Sequence, residues 1–110
     1  MGFYDGFQFL RRKKTGLQIV PLSIRGEVLD EGDHYLVRIN DALSTDEKIK
    51  AVIHECLHFG ENYRKYAGRM RRLPEGEYTR IEGEIDSITD QVYESQPLLV
   101  EWLREKFNVS

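Results

Sequence analysis

The run His54-Glu55-Cys56-Leu57-His58 decides how the rest of the chain is read. It has the form H-E-x-x-H and holds two of the three histidines. On an α-helix at about 100° per residue, counting from His54, His58 falls near 40° and Glu55 near 100°. Both imidazoles then share one face, a turn apart, with the glutamate on its flank. Two imidazoles so placed can hold a Zn²⁺ ion, and a carboxylate beside the ion can take a proton from water. Ile49, Val52, Ile53, Cys56 and Leu57 fall at roughly 160–300° on the same count. The predicted helix therefore turns its core face away from its histidines, as a helix at the floor of a cleft must. The competing reading is a surface helix with two incidental histidines. Cys56 points away from the imidazoles and reads as a small buried residue, neither ligand nor nucleophile.

Working outward, Ser44-Thr45-Asp46-Glu47 has the form of a capping box, with Ser44 as N-cap. The helix is expected to start there and run to about Gly60, or on to Tyr66. Before it the hydrophobic period shortens. Leu17-Gln18-Ile19-Val20, residues 24–29 and residues 35–40 read as strands, with Pro21 marking an edge or a break. Asp30-Glu31-Gly32-Asp33 reads as a hairpin turn with glycine supplying a positive φ. A small, mainly antiparallel sheet of three strands is the expectation. Phe3, Phe7 and Leu10, followed by Arg11-Arg12-Lys13-Lys14 and Gly16, suit a helix that ends in a basic turn.

After the histidines comes a stretch holding Arg64, Lys65, Arg69, Arg71 and Arg72, closed by Leu73-Pro74-Glu75-Gly76. Such a cluster reads as a solvated face, or as a grip on an acidic substrate. A helix is predicted from about residue 77 to 94, with Ile81, Ile85, Ile88 and Val92 as its apolar stripe. A last one follows Pro97, burying Leu98, Leu99, Trp102, Leu103 and Phe107. The fold class is then α+β, a three-stranded sheet packed on about four helices. With 110 residues, this is one domain spanning 1–110, with no repeat or linker.

Composition narrows the function classes. A net charge of −3 gives no electrostatic case for nucleic acid. No apolar run approaches the roughly 20 residues that span a bilayer. Residues 1–10 lack the pattern of a secretory signal. One cysteine excludes an internal disulfide and leads us to expect an intracellular, cytoplasmic protein.

A catalytic zinc usually has three protein ligands. Met-turn peptidases continue the run to a third histidine after a glycine, but here Gly60 is one place early and Arg64 stands at the histidine position. His34, the other histidine, lies on the hairpin and would reach the metal only if that turn folded over the helix. A carboxylate from the following helix is the better source. Glu82 and Asp86, four apart, stack on one face beside the isoleucine stripe. Glu82 would ligate, and Asp86 would accept the free N–H of a ligating histidine. Glu84 borders the stripe on its other side, and periodicity does not choose between Glu82 and Glu84.

The order of these parts resembles a gluzincin metallopeptidase over roughly residues 17–95: a three-stranded sheet, a short Asn40-Asp41-Ala42-Leu43-Ser44 link, the H-E-x-x-H helix, then a glutamate helix. In size the chain resembles the minigluzincins. Glu82-Gly83-Glu84-Ile85-Asp86 matches the family's E-x-x-x-D pattern, which points to Glu82. The resemblance implies zinc-dependent hydrolysis of a peptide or protein substrate, with His54, His58 and Glu82 on the metal and Glu55 as general base. It also implies that a rim strand at residues 34–40 pairs with extended substrate. Tyr78, Tyr93 and His34 are candidates to stabilise the oxyanion. Minigluzincins resemble zymogens, so the aromatic N-terminus (Phe3, Tyr4, Phe7, Phe9) or the tail beyond Trp102 is a candidate to cover the cleft. The alternative is a catalytically silent zinc-binding scaffold or regulator. A purely structural zinc would need four ligands, and the sequence offers three good ones. Gly83 departs from a good helix interior, at a cost of about 1 kcal/mol against alanine; close approach of the metal helix would account for it.

Overall fold

The computed structural model describes residues 14–58, 63–66 and 69–107. The expected N-terminal helix, the proposed cover from the N-terminus or from the last residues, and the side chain of Phe107 lie outside the described residues. What is described is a small α+β fold. A three-stranded sheet, β1 (Lys14–Val20), β2 (Gly26–Asp30) and β3 (His34–Asn40), is followed by three helices. These are α1 (Thr45–Leu57), α2 (Glu75–Ser95) and α3 (Pro97–Phe107). Two short 3₁₀ turns, Arg64–Tyr66 and Met70–Arg72, lie between α1 and α2. Among the described residues no helix is long and apolar enough to cross a membrane.

The sheet departs from the antiparallel expectation. Its order is β1-β3-β2, with β1 parallel to β3 and β2 antiparallel to it. Pro21 ends β1, and residues 21–25 carry the chain past the end of β3 to its far side. Asn40 fastens that crossing: its N–H donates to Arg25 O at 2.9 Å and its Nδ2 to Leu22 O at 3.0 Å. The return from β2 to β3 is the predicted tight turn, with Gly32 at φ 95° and its N–H donating to Asp30 Oδ1. This strand order has a functional consequence. The strand expected on the rim, β3, is central and hydrogen-bonded on both sides; β2 is the edge beside α1.

Alternation in β3 places Val37 and Ile39 in the core and Arg38 on the other face, paired across the ladder with Glu27 at 3.0 Å. Ser44 caps α1, its Oγ accepting from Glu47 N–H at 3.2 Å. The helix ends at Leu57, with His58 as a C-cap still in helical conformation, so the one-turn relation of the two histidines survives. α2 starts two residues earlier than expected, directly after Pro74, with Glu75 and Glu77 favourably placed in its first turn.

α1 packs on α2 and on the sheet, and both helices touch α3. Ile49, Val52, Ile53 and Cys56 meet Ile81, Ile85 and Val92 in one core cluster, all fully buried. The last helix is turned differently from the prediction. Leu99, Val100 and Leu103 face inward, while Leu98 is 84% exposed and Trp102 is at the surface. Pro97 opens the helix directly after α2, and that short link fixes the residues three and four after Gln96 as the inner face.

Candidate metal centre

α1 and α2 bring five chemically active side chains to one place. His54 and His58 come from α1, a turn apart, with Nε2 atoms 3.3 Å from each other. From α2, the Glu82 carboxylate reaches both: Oε2 lies 2.9 Å from His54 Nε2 and Oε1 3.1 Å from His58 Nε2. One turn on, Asp86 Oδ1 sits 2.9 Å from His54 Nδ1. Glu55 is beside the pair, and ligand-type atoms of His54, Glu55 and His58 lie within 4.8 Å of one another. This His/Glu/His group is able to hold a metal ion.

The protonation pattern explains why a cation suits the site. A carboxylate only accepts hydrogen bonds, so His54 Nδ1 must carry the proton it donates to Asp86. In neutral His54, Nε2 then presents a lone pair toward a carboxylate oxygen and a second imidazole. Such an arrangement is repulsive unless positive charge lies among the three groups. In the absence of a metal ion, a proton on His54 Nε2 would supply it. Burial works against charging His54, but the hydrogen bond it donates to Glu82 and the charges of Glu55, Glu82 and Asp86 outweigh it, and its pKa is raised. Burial likewise opposes charge on Glu82, yet its two histidine partners hold its pKa far below the carboxylate range. For Glu55 burial wins: desolvation pushes its carboxyl upward, partly offset by the neighbouring histidines.

Neither family models, curated proteins nor solved structures match this chain.

Glu84, the rival carboxylate, faces elsewhere. Its oxygens accept from Tyr63 Oη at 3.0 Å and Arg80 at 2.8 Å. The other sequence candidates separate in the same way. Tyr78, one turn before Glu82 on α2, lines the cleft with the histidines. Tyr93 donates to Asp46 Oδ1 at 2.6 Å, and His34 is bound to Asp33 at the hairpin; neither lines the cleft. Cys56 is buried, and burial pushes its thiol up, out of reach of nucleophilic chemistry.

Sequence reasoning missed two neighbours. Arg25 donates to Asp86 Oδ1 at 2.9 Å, so one carboxylate oxygen joins the guanidinium to His54. Gly26, next in the chain, lets β2 come close: a Cβ there would lie 2.9 Å from Ile39 Cδ1, 3.0 Å from the Arg38 carbonyl oxygen and 3.6 Å from Glu55 Cγ. Both depend on the crossing at Asn40, which no periodicity announces. Gly83, by contrast, would meet nothing within 4 Å as alanine, so close helix approach does not explain it.

The cleft beside these groups has a volume of about 860 Å³. Four consecutive residues of β2, Gly26 to Leu29, line it. Successive strand residues face opposite ways, so such a run means that the strand turns its edge to the cleft, an edge that no other strand covers among the described residues. Asp86 holds the His54 tautomer from outside the donor set. Replacing it (Asp86→Ala) is expected to weaken metal binding about 10–100-fold, measured by competition with a chromophoric chelator. An unchanged affinity contradicts that role.

Proposed function

We propose that this chain is a zinc-dependent peptidase of gluzincin type, with His54, His58 and Glu82 as metal ligands and Glu55 as general base. One observation carries the reading: two imidazoles and a carboxylate converge beside a second, desolvated carboxylate, at the edge of an open cleft. Zinc bonds of roughly 2.0–2.1 Å in tetrahedral array separate neighbouring ligand atoms by about 3.3–3.4 Å. The three contacts of 3.3, 2.9 and 3.1 Å are close to such edges. The donor set fits, and imidazole with carboxylate is a common zinc combination.

When bound, zinc supplies a Lewis acid that polarises a carbonyl and lowers the pKa of water to about 7. The chain's own residues supply the rest. Glu55, with a carboxyl pKa raised by burial, is suited to take a proton from the attacking water and return it to the leaving amine nitrogen. The edge of β2 offers backbone N–H and C=O groups to an extended peptide, which aligns the scissile bond along the cleft. Tyr78 Oη is the side-chain donor in the cleft suited to the oxyanion.

The test is incubation of the zinc-loaded protein with a broad peptide library, read by mass spectrometry with and without chelator. Cleavage that disappears with zinc removal and returns with zinc is the expected result. Stoichiometric zinc without any cleavage would leave the metal-binding scaffold as the surviving account.

A further inference from the structure

The charges that line the cleft are Arg25, Glu27, Glu55, Arg71, Arg72 and Glu82. Four of them are already engaged. Arg25 is paired with Asp86, Glu27 with Arg38 and Glu82 with the two histidines, and Glu55 is desolvated beside those histidines. Arg71 and Arg72 are different. Both are exposed, and among the described residues neither has a carboxylate partner. Two adjacent cations therefore face a cleft whose carboxylates are committed elsewhere.

Their backbone is held in place. The turn Met70–Arg72 is closed by Arg72 N–H to Arg69 O at 2.9 Å and Leu73 N–H to Met70 O at 3.2 Å. Met70 and Leu73, on either side of the pair, pack against the hydrophobic core. The guanidinium groups thus project from an anchored turn, not from a free loop, which lowers the ordering cost of a bound anion. A guanidinium presents a planar fork of donors that matches a carboxylate in bidentate fashion.

We propose that Arg71 and Arg72 recognise a carboxylate of the bound peptide, so that the cleft selects acidic peptides over neutral ones. The inference rests on the peptidase reading for the identity of its ligand. Peptides carry that group in two places, on an aspartate or glutamate side chain and at the free C-terminus. The same guanidinium chemistry serves either. In this way the arginine cluster that stands out in the sequence becomes a specificity element, placed in the same cleft as the His/Glu group.

The experiment measures binding instead of turnover, so that it stands apart from the test of catalysis. Three fluorescent peptides of one length are compared: one with an internal glutamate and an amidated end, one with glutamine and an amidated end, and one with glutamine and a free C-terminal carboxylate. They are titrated by fluorescence polarisation against the zinc-loaded Glu55→Gln protein, which leaves them intact, and against the same protein carrying Arg71→Gln and Arg72→Gln. Both arginines are exposed, so the fold is expected to persist, with circular dichroism as the check. One or both carboxylate peptides should bind about three- to tenfold more tightly than the neutral one. That preference should vanish in the arginine variant, with the neutral peptide unaffected. Which of the two shows it names the source of the carboxylate. Equal binding of all three peptides, binding of none, or a preference that survives loss of both arginines overturns the proposal. Selective acidic binding by a protein that cuts nothing would instead count against the peptidase reading alone.

Discussion

Replacing Glu55 with glutamine is expected to abolish peptide turnover while leaving the metal bound. Glutamine keeps the size and one oxygen of the side chain but has no pKa with which to take a proton from water. General acid–base catalysis contributes typically about 10²–10⁴-fold, so a loss in that range or greater is the expectation for kcat. Metal content has to be measured on the same sample, because Glu55 lies close enough to both imidazoles to compete as a ligand. If it is a ligand, the variant loses metal and activity together. If it is the base, activity falls and metal stays. Geometry favours the second outcome, since Glu82 already touches both Nε2 atoms. Activity near wild type contradicts any proton-transfer role for Glu55.

Most of what positions the site was legible in residue spacing. His54 and His58, four apart, share a helix face, and the Ile49–Leu57 stripe fixes which side of α1 meets the core. The same i, i+4 logic places Glu82 and Asp86 on one face of α2, and the isoleucine stripe turns that face toward α1. The Gly32 turn and the Ser44 cap followed from local chemistry, and both are found. What spacing did not carry is long-range. Whether a third strand joins parallel or antiparallel depends on which side of its neighbour the chain passes. That choice is held by Asn40, whose hydrogen bonds to Arg25 and Leu22 have no periodic signature. The consequence reaches the site: β2 takes the edge in place of β3, and Arg25 and Gly26 arrive beside Asp86 and Glu55. Leu98 and Trp102 were misjudged for a smaller reason. An apolar-rich helix of three turns admits two nearly equivalent inward faces, and the link to α2 selects the one with Leu99 and Leu103.

Glu82 is the proposed third ligand. Removing it (Glu82→Ala) deletes the group that bridges His54 and His58, at 2.9 and 3.1 Å. An outer partner of a metal ligand typically contributes about 10–100-fold in affinity, and a direct ligand is expected to contribute more. Glu84→Ala is the matched control, two residues along the same helix, with its carboxylate held by Tyr63 and Arg80 instead. Elemental analysis of all three proteins, loaded with zinc and dialysed under identical conditions, tests the scheme most directly. One zinc per chain in wild type and in Glu84→Ala, with none retained by Glu82→Ala, is the predicted result. Full zinc in Glu82→Ala, or its loss from Glu84→Ala, would contradict it.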